Sequence, residues 1–215
     1  SLDINEALAM PGVVRIFMAK DIPGENQIGG IVPDEELLAS SYVHFCGMPL
    51  ALVVAETEEA ARAAVKKVKV TIEPLPVITD PREAKDKGEL IIPPRTFRLG
   101  DTSSVWKDCD HIIEGRTETN GQEHLYIETQ GAYAVPQENG AIRIYSSTQG
   151  PTAVQRTAAR VLAIPMNQIE VDTTRLGGGF GGKEDQATTW GVMCALAAFH
   201  LKRPVKYCLH RMEDM

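Results

Sequence analysis

The chain has 215 residues, 43% of them hydrophobic and 24% charged, with a net charge of −7. That length supports one or two domains with a core, and the acidic balance argues against nucleic acid or an anionic membrane as the main partner. The longest apolar stretch, Ala187 to Leu201, is interrupted by Thr188, Thr189, Gly191 and His200; it is shorter than the ~20 residues of a membrane span and reads as a buried helix.

In chain order, Leu2 to Ala9 is predicted to be a short helix stopped by Pro11-Gly12, and Val13 to Met18 a strand. Leu50 to Ala55 is a continuous apolar run, as in a strand covered on both faces. Thr57 then caps a helix with Glu58 and Glu59 in its first turn and Lys66 and Lys67 in its last, matching the helix dipole. Ala60, Ala61, Ala64, Val65 and Val68 mark the buried face of that helix. Lys69 to Glu73 returns as a strand, which predicts a β-α-β unit over residues 50–73. From Pro74 to about Arg98 prolines fall among charges, the pattern of a surface linker.

Strands are predicted next at about 111–119 and 124–135, with Asn120-Gly121 as a hairpin signal between them. Ile142 and Ile144 alternate on one face of a strand over 141–147. Pro151 opens a helix at its tolerated first turn, with Val154, Ala158, Val161 and Leu162 as its apolar stripe and Pro165 beyond its end. A strand over 169–176, a glycine-rich loop, the long apolar helix from about Asp185 to Leu201 and a strand over Val205 to Leu209 complete the pattern. The mixture makes this an α/β chain (α+β mixed).

The four cysteines (Cys46, Cys109, Cys194, Cys208) form no C-x-x-C pair. This excludes a local zinc ribbon or iron–sulfur cluster built from this chain alone and suits a reducing cytoplasm. Cys194 and Cys208 sit in apolar contexts and are expected to be buried thiols. No N-terminal signal peptide is read in these residues; Ser1-Leu2-Asp3 starts abruptly inside patterned sequence, so a missing N-terminal portion could hide one.

The loop Gly177-Gly178-Gly179-Phe180-Gly181-Gly182-Lys183-Glu184 carries the strongest functional signal. Five glycines around one aromatic let a backbone approach a ligand and point its N–H groups at it. Gly177, Gly179 and Gly182 spell the dinucleotide pattern G-x-G-x-x-G, but the ribose-binding acid expected after the next strand is missing. Gly177 to Lys183 nearly spells a P-loop, but Glu184 stands where a hydroxyl should hold Mg²⁺. A turn that merely allows close strand–helix packing and a non-catalytic anion or nucleotide nest stay open at this point. His124 and Glu128 lie in a strand pattern and share no helix face for a metal, while Arg203 and Lys206 read as solvated charge.

Several phrases, taken in order, resemble the molybdenum-binding portion of the xanthine dehydrogenase/aldehyde oxidase family. Residues 1–76 look like a partial α/β hammerhead domain, through Glu6-Ala7-Leu8-Ala9-Met10-Pro11-Gly12-Val13, Ala19-Lys20-Asp21-Ile22-Pro23 and Gly47-Met48-Pro49-Leu50-Ala51. Residues 77–99 would be the linker. Residues 100–215 look like the N-terminal part of a molybdopterin-binding domain, through Gly121-Gln122-Glu123-His124-Leu125-Tyr126-Ile127-Glu128 and Gly177 to Glu184.

The resemblance implies that the Gln122 amide lies beside molybdenum and hydrogen-bonds an oxo ligand, donating without adding charge. Phe180 and Gly181 would meet the cofactor at the metal, with the Phe180 backbone near a metal ligand. Glu184 would face the substrate, as in xanthine-type members; aldehyde oxidases tend to carry an apolar residue there. Asp185 departs from the Thr of animal xanthine oxidases and leaves room for another nitrogen heterocycle. The implied parent is a molybdopterin-dependent oxidoreductase that hydroxylates a purine or related heterocycle with water-derived oxygen, with an aldehyde-oxidising member as the alternative. Its general-base Glu is expected downstream of Met215, so no catalytic residue is assigned here and the isolated chain is expected to be an inactive fragment. Iron–sulfur clusters, with or without FAD, would sit on other domains or subunits, which with the rest of the molybdenum-binding domain would be its partners.

Overall fold

The structure, a computed structural model, describes all residues from Ser1 to Met215. Its strands are β1 (Leu2–Asp3), β2 (Val13–Phe17), β3 (Leu52–Ala55), β4 (Lys69–Val70), β5 (Gly131–Pro136), β6 (Ile142–Ser146), β7 (Ile169–Asp172) and β8 (Val205–Cys208). Its helices are α1 (Asn5–Leu8), α2 (Glu58–Val65), α3 (Pro81–Lys87), α4 (Thr102–Val105), α5 (Pro151–Leu162), α6 (Gln186–Leu201) and α7 (Arg211–Asp214). They fall into two compact units, one made of Ser1–Val70 with Gln122–Met215 and the other of Thr71–Gly121.

In the larger unit a four-stranded sheet has the order β7-β6-β5-β8, with β6 and β7 parallel and the other pairs antiparallel. Ala132, Ala134, Ile142, Ile144 and Ile169 are buried, as period-two alternation requires of one sheet face. Val154, Ala158, Val161 and Leu162 of α5 and the 191–198 stretch of α6 pack into the same core. An α6 that is apolar on every side is buried on nearly every side, as such a helix must be. A Cβ at Gly191 would stand 2.9 Å from Val154 Cγ1, so glycine there lets α5 and α6 approach closely.

The first seventy residues add two small sheets, β1 with β4 and β2 with β3, both antiparallel. Phe17, Leu37, Leu38 and Leu52 join the main core, while Ala7, Ile16 and Ala64 form a second cluster. Thr57 caps α2 by accepting the Ala60 N–H at 3.2 Å. The two stretches of this unit are tied by Arg203, paired through both guanidinium nitrogens with Glu56 at 2.8 and 2.9 Å, and by the Gly24 N–H on the Val161 carbonyl at 2.9 Å. Arg203 is thus paired rather than merely solvated.

The smaller unit holds α3 and α4. Asp80 caps α3 by accepting the Arg82 and Glu83 N–H groups at 2.7 and 3.3 Å, Pro81 occupies its first turn, and Gly88 closes it in the left-handed conformation. A complete set of helix stop and start signals therefore lies within residues that read as a linker.

Five further expectations change. β4 pairs with β1, not with β3, so residues 50–73 do not form a β-α-β unit in one sheet. No strand forms over 111–119, where Ile113 is 94% exposed, because no partner strand pairs with it. The strand expected over 124–135 begins only at Gly131; Leu125 has φ +41, outside extended geometry, and without flanking strands Asn120-Gly121 makes no hairpin. Cys208 is exposed, since β8 is an edge strand and its alternation turns that thiol outward, whereas burial pushes the Cys194 thiol up to about 12. No helix is long and apolar enough to cross a membrane.

Candidate functional site

The glycine loop runs from the end of β7 to the start of α6, and one carboxylate holds both of its ends. Glu128 Oε2 accepts the Gly177 N–H at 2.8 Å, the Lys183 ammonium at 3.0 Å and the Ser147 hydroxyl at 2.5 Å. Lys183 is fully buried. Its Nζ also donates to the Glu128 carbonyl and to Ser147 Oγ, both at 2.7 Å, and lies 4.4 Å from the centre of the Tyr126 ring. Three oxygens satisfy the three ammonium donors and the ring faces the charge, which is what a desolvated lysine needs. Burial pushes the Glu128 carboxyl up, but the Ser147 hydroxyl, the Gly177 N–H and Lys183 together hold it below the usual carboxylate range.

Gln149 fixes the second half of the loop. Its Oε1 accepts from the Gly181 and Lys183 N–H groups at 3.0 and 3.2 Å, and its own N–H donates to the Lys183 carbonyl at 2.8 Å. The Thr148 hydroxyl donates to that same carbonyl at 3.2 Å. A Cβ at Gly182 would lie 2.8 Å from both His124 Cγ and Tyr126 Cε1, so the loop packs directly on residues 124–126. Those residues are pinned in turn by Arg211, whose guanidinium donates to the Tyr126 and Ile127 carbonyls at 2.6 and 2.7 Å, and by the Tyr126 hydroxyl on Asp214 at 3.2 Å.

The tip of the loop is held differently. Gly178, Phe180 and Gly181 have φ values of +96, +53 and +92, and the Phe180 side chain is 76% exposed. The N–H groups of Gly178, Gly179 and Phe180 take no partner within the chain. Successive backbone N–H groups left free in such a turn are donors suited to anionic oxygen.

The predicted site residues take these places. Phe180 and Gly181 lie at the tip. Gln122 is exposed, two residues before the His124 ring that packs on the loop, and makes no hydrogen bond to it. Glu184 is exposed and precedes Asp185, the N-cap of α6, so it is not in that helix's first turn. Sequence reasoning missed Glu128, Ser147, Gln149 and Lys183 as the loop's supports, because contacts between residues 32 to 55 positions apart leave no local pattern. It also missed Arg211.

Two competing motifs lose their footing. Lys183 is committed to Glu128 inside the protein, whereas a P-loop lysine must reach a phosphate. β7 and β8, on either side of α6, stand at opposite edges of the sheet, unlike the adjacent parallel strands of a dinucleotide-binding unit. No group of three or more His, Cys, Asp and Glu side chains converges to hold a metal ion.

Residues 83–215 match the family model described as a molybdopterin cofactor-binding domain, and residues 1–76 match the aldehyde oxidase and xanthine dehydrogenase a/b hammerhead domain. The whole chain is 40% identical to a xanthine dehydrogenase of Dictyostelium discoideum and 41% identical to aldehyde oxidase 2 of Cavia porcellus, spanning 16% of each. Among solved structures it resembles the aldehyde oxidoreductase from Desulfovibrio gigas, with a TM-score of 0.88 and 29% identity over 100% of this chain and 26% of that one. It also resembles quinoline 2-oxidoreductase from Pseudomonas putida 86, with a TM-score of 0.80 and 26% identity over 100% of this chain and 29% of that one. The chain spans about a sixth of the curated relatives' length. It belongs to the xanthine dehydrogenase/aldehyde oxidase family of molybdenum hydroxylases, and joins that family's α/β hammerhead fold to sequence of its molybdopterin cofactor-binding domain.

Proposed function

We propose that the protein containing this chain is a molybdopterin-dependent hydroxylase of xanthine dehydrogenase type, acting in the cytoplasm on a purine or related nitrogen heterocycle. The observation that carries this reading is the clasped glycine loop, which is fixed at both ends and leaves the amides of Gly178, Gly179 and Phe180 without a partner in the chain, beside the exposed Phe180 ring. The residues present fit the group: these backbone donors suit an anionic cofactor. When bound, that group supplies two-electron oxidation and oxygen transfer to carbon.

The chain's own residues would do the rest. The Gln122 amide would donate a hydrogen bond beside the metal. The Phe180 and Gly181 backbone would meet the cofactor, and the Phe180 ring would shield one side from water. Glu184 would bind a heteroatom of the substrate, favouring a heterocycle over a plain aldehyde. The general-base Glu belongs to a part of the family's sequence that these residues do not include. Iron–sulfur domains, with or without a flavin domain, would carry electrons away. The 215 residues alone would not turn over.

Two measurements on the full-length protein test this. Protein purified from a molybdenum-competent host is expected to carry molybdenum in stoichiometric amount; a metal-free but folded protein would contradict the reading. Glu184→Val is expected to reduce purine turnover by about tenfold or more relative to aldehyde turnover, the discrimination a polar substrate contact supports. Equal losses on both substrates would remove the proposed role of Glu184. Because similar identities link the chain to xanthine dehydrogenases and to an aldehyde oxidase, overall likeness does not choose between them.

A further inference from the structure

We propose that Glu128 and Lys183 are a positioning pair that sets the span and shape of the cofactor-facing loop. The inference rests on the molybdopterin reading above, but its geometric core stands on the chain itself. One carboxylate oxygen receives the loop's entry, through the Gly177 N–H, and its exit, through the Lys183 ammonium. The Lys183 backbone is fixed independently by Gln149 and Thr148. The pair therefore limits the separation of residues 177 and 183, and with it the arch that carries Gly178 to Phe180.

A role in stability alone would not require this chemistry. A buried ammonium loses its hydration, and an apolar side chain of similar volume is often as stabilising or more so. What the ammonium adds is direction, since it meets the Glu128 carbonyl, Glu128 Oε2 and Ser147 Oγ from one fixed point. Ser147 completes the arrangement by accepting from Lys183 and donating to Glu128. Supports of this kind tune cofactor sites without touching the reacting atoms.

The test uses the full-length protein with Glu128→Gln, which keeps the side-chain volume and removes the charge, and the double variant Glu128→Gln/Lys183→Met, which leaves no unpaired buried charge. Hydrogen exchange of the Gly177, Gly181 and Lys183 amides is expected to quicken about thirtyfold or more in Glu128→Gln and about tenfold in the double variant, with and without cofactor, while α6 keeps its protection. Molybdenum per protein is expected to fall about tenfold. In the fraction that stays loaded, kcat per molybdenum should fall while KM changes little, the signature of lost alignment rather than lost substrate binding.

Unchanged loop exchange would overturn the proposal, and so would a double variant with quickened exchange but wild-type molybdenum content and kcat, since the pair would then be structural only. A wild-type protein without molybdenum whose loop exchange still depends on Glu128 would instead sink the functional reading and leave the clasp standing.

Discussion

The glycine loop and the segment whose His124 packs on it, Gln122 to Leu125, are held by opposite means. The loop is bound from below at Gly177, Gly181 and Lys183, so its exposed tip is carried on fixed points. Gln122, Glu123 and Leu125 are exposed, and the segment is held mainly at its far end, where Arg211 grips Tyr126 and Ile127. The difference teaches where this chain preorganises its site. The loop's conformation is built in, while the Gln122 side chain is exposed and makes no hydrogen bond to the loop.

Breaking the clasp should give the largest effect. Glu128→Gln strands a fully buried ammonium. The expected loss in local opening free energy is about 2–3 kcal/mol, below the roughly 3–5 of a fully enclosed pair, because the Glu128 side chain is 42% exposed and water screens it. Lys183→Met should cost less, about 1–2 kcal/mol, since the Glu128 carboxylate that remains can be hydrated. Native-state hydrogen exchange of the loop measures both, and the reverse order would show that Lys183 is not the desolvated partner.

Gly177→Ala should come next. Its Cβ would stand 2.4 Å from Glu128 Cβ and 3.3 Å from Cγ, with no flexible end to yield, so an overpacking cost of about 1–3 kcal/mol is expected, confined to the loop. Wild-type protection in this variant would mean that the 128–177 contact is looser than it stands here.

Acid should loosen the clasp by a smaller amount. The folded carboxyl of Glu128 is held below its ordinary range, so its contribution is full above the ordinary glutamate value and is lost as pH falls through the lower folded value. Loop exchange, corrected for intrinsic chemistry, should therefore quicken from about pH 4 downwards. A loop that instead loosens as pH rises through neutrality would contradict the assignment.

Gln122→Ala should have the least effect on folding, within about 0.5 kcal/mol, because its side chain is exposed and makes no hydrogen bond to the loop. The same change should lower turnover of the loaded full-length enzyme. A variant with normal turnover would separate Gln122 from the site.

Much of this architecture was legible in the sequence because its signals are local. Thr57 before an acidic turn, Pro151 before an apolar stripe, and the alternation of Ile142 and Ile144 each specify an element by themselves, and each stands where expected. The strand expected at 111–119 failed because a strand-like stretch does not supply the partner strand its backbone groups need. The helix at 81–87 was hidden by prolines that mark loops elsewhere but open this helix. At the site, the glycines announced a backbone that approaches something closely, and a family resemblance named the other segment. The clasp was illegible: Glu128 and Lys183 are 55 residues apart, and a lysine after glycine suggests a phosphate until its burial and its carboxylate partner are seen.

The clasped loop and the Gln122 segment are proposed to face one molybdenum centre. Anomalous diffraction at the molybdenum edge, on crystals of the full-length protein with its cofactor, tests this most directly. A single molybdenum peak is expected against the Phe180–Gly181 backbone with the Gln122 amide beside it. A peak elsewhere in the molecule, with the loop tip facing only solvent, would contradict it.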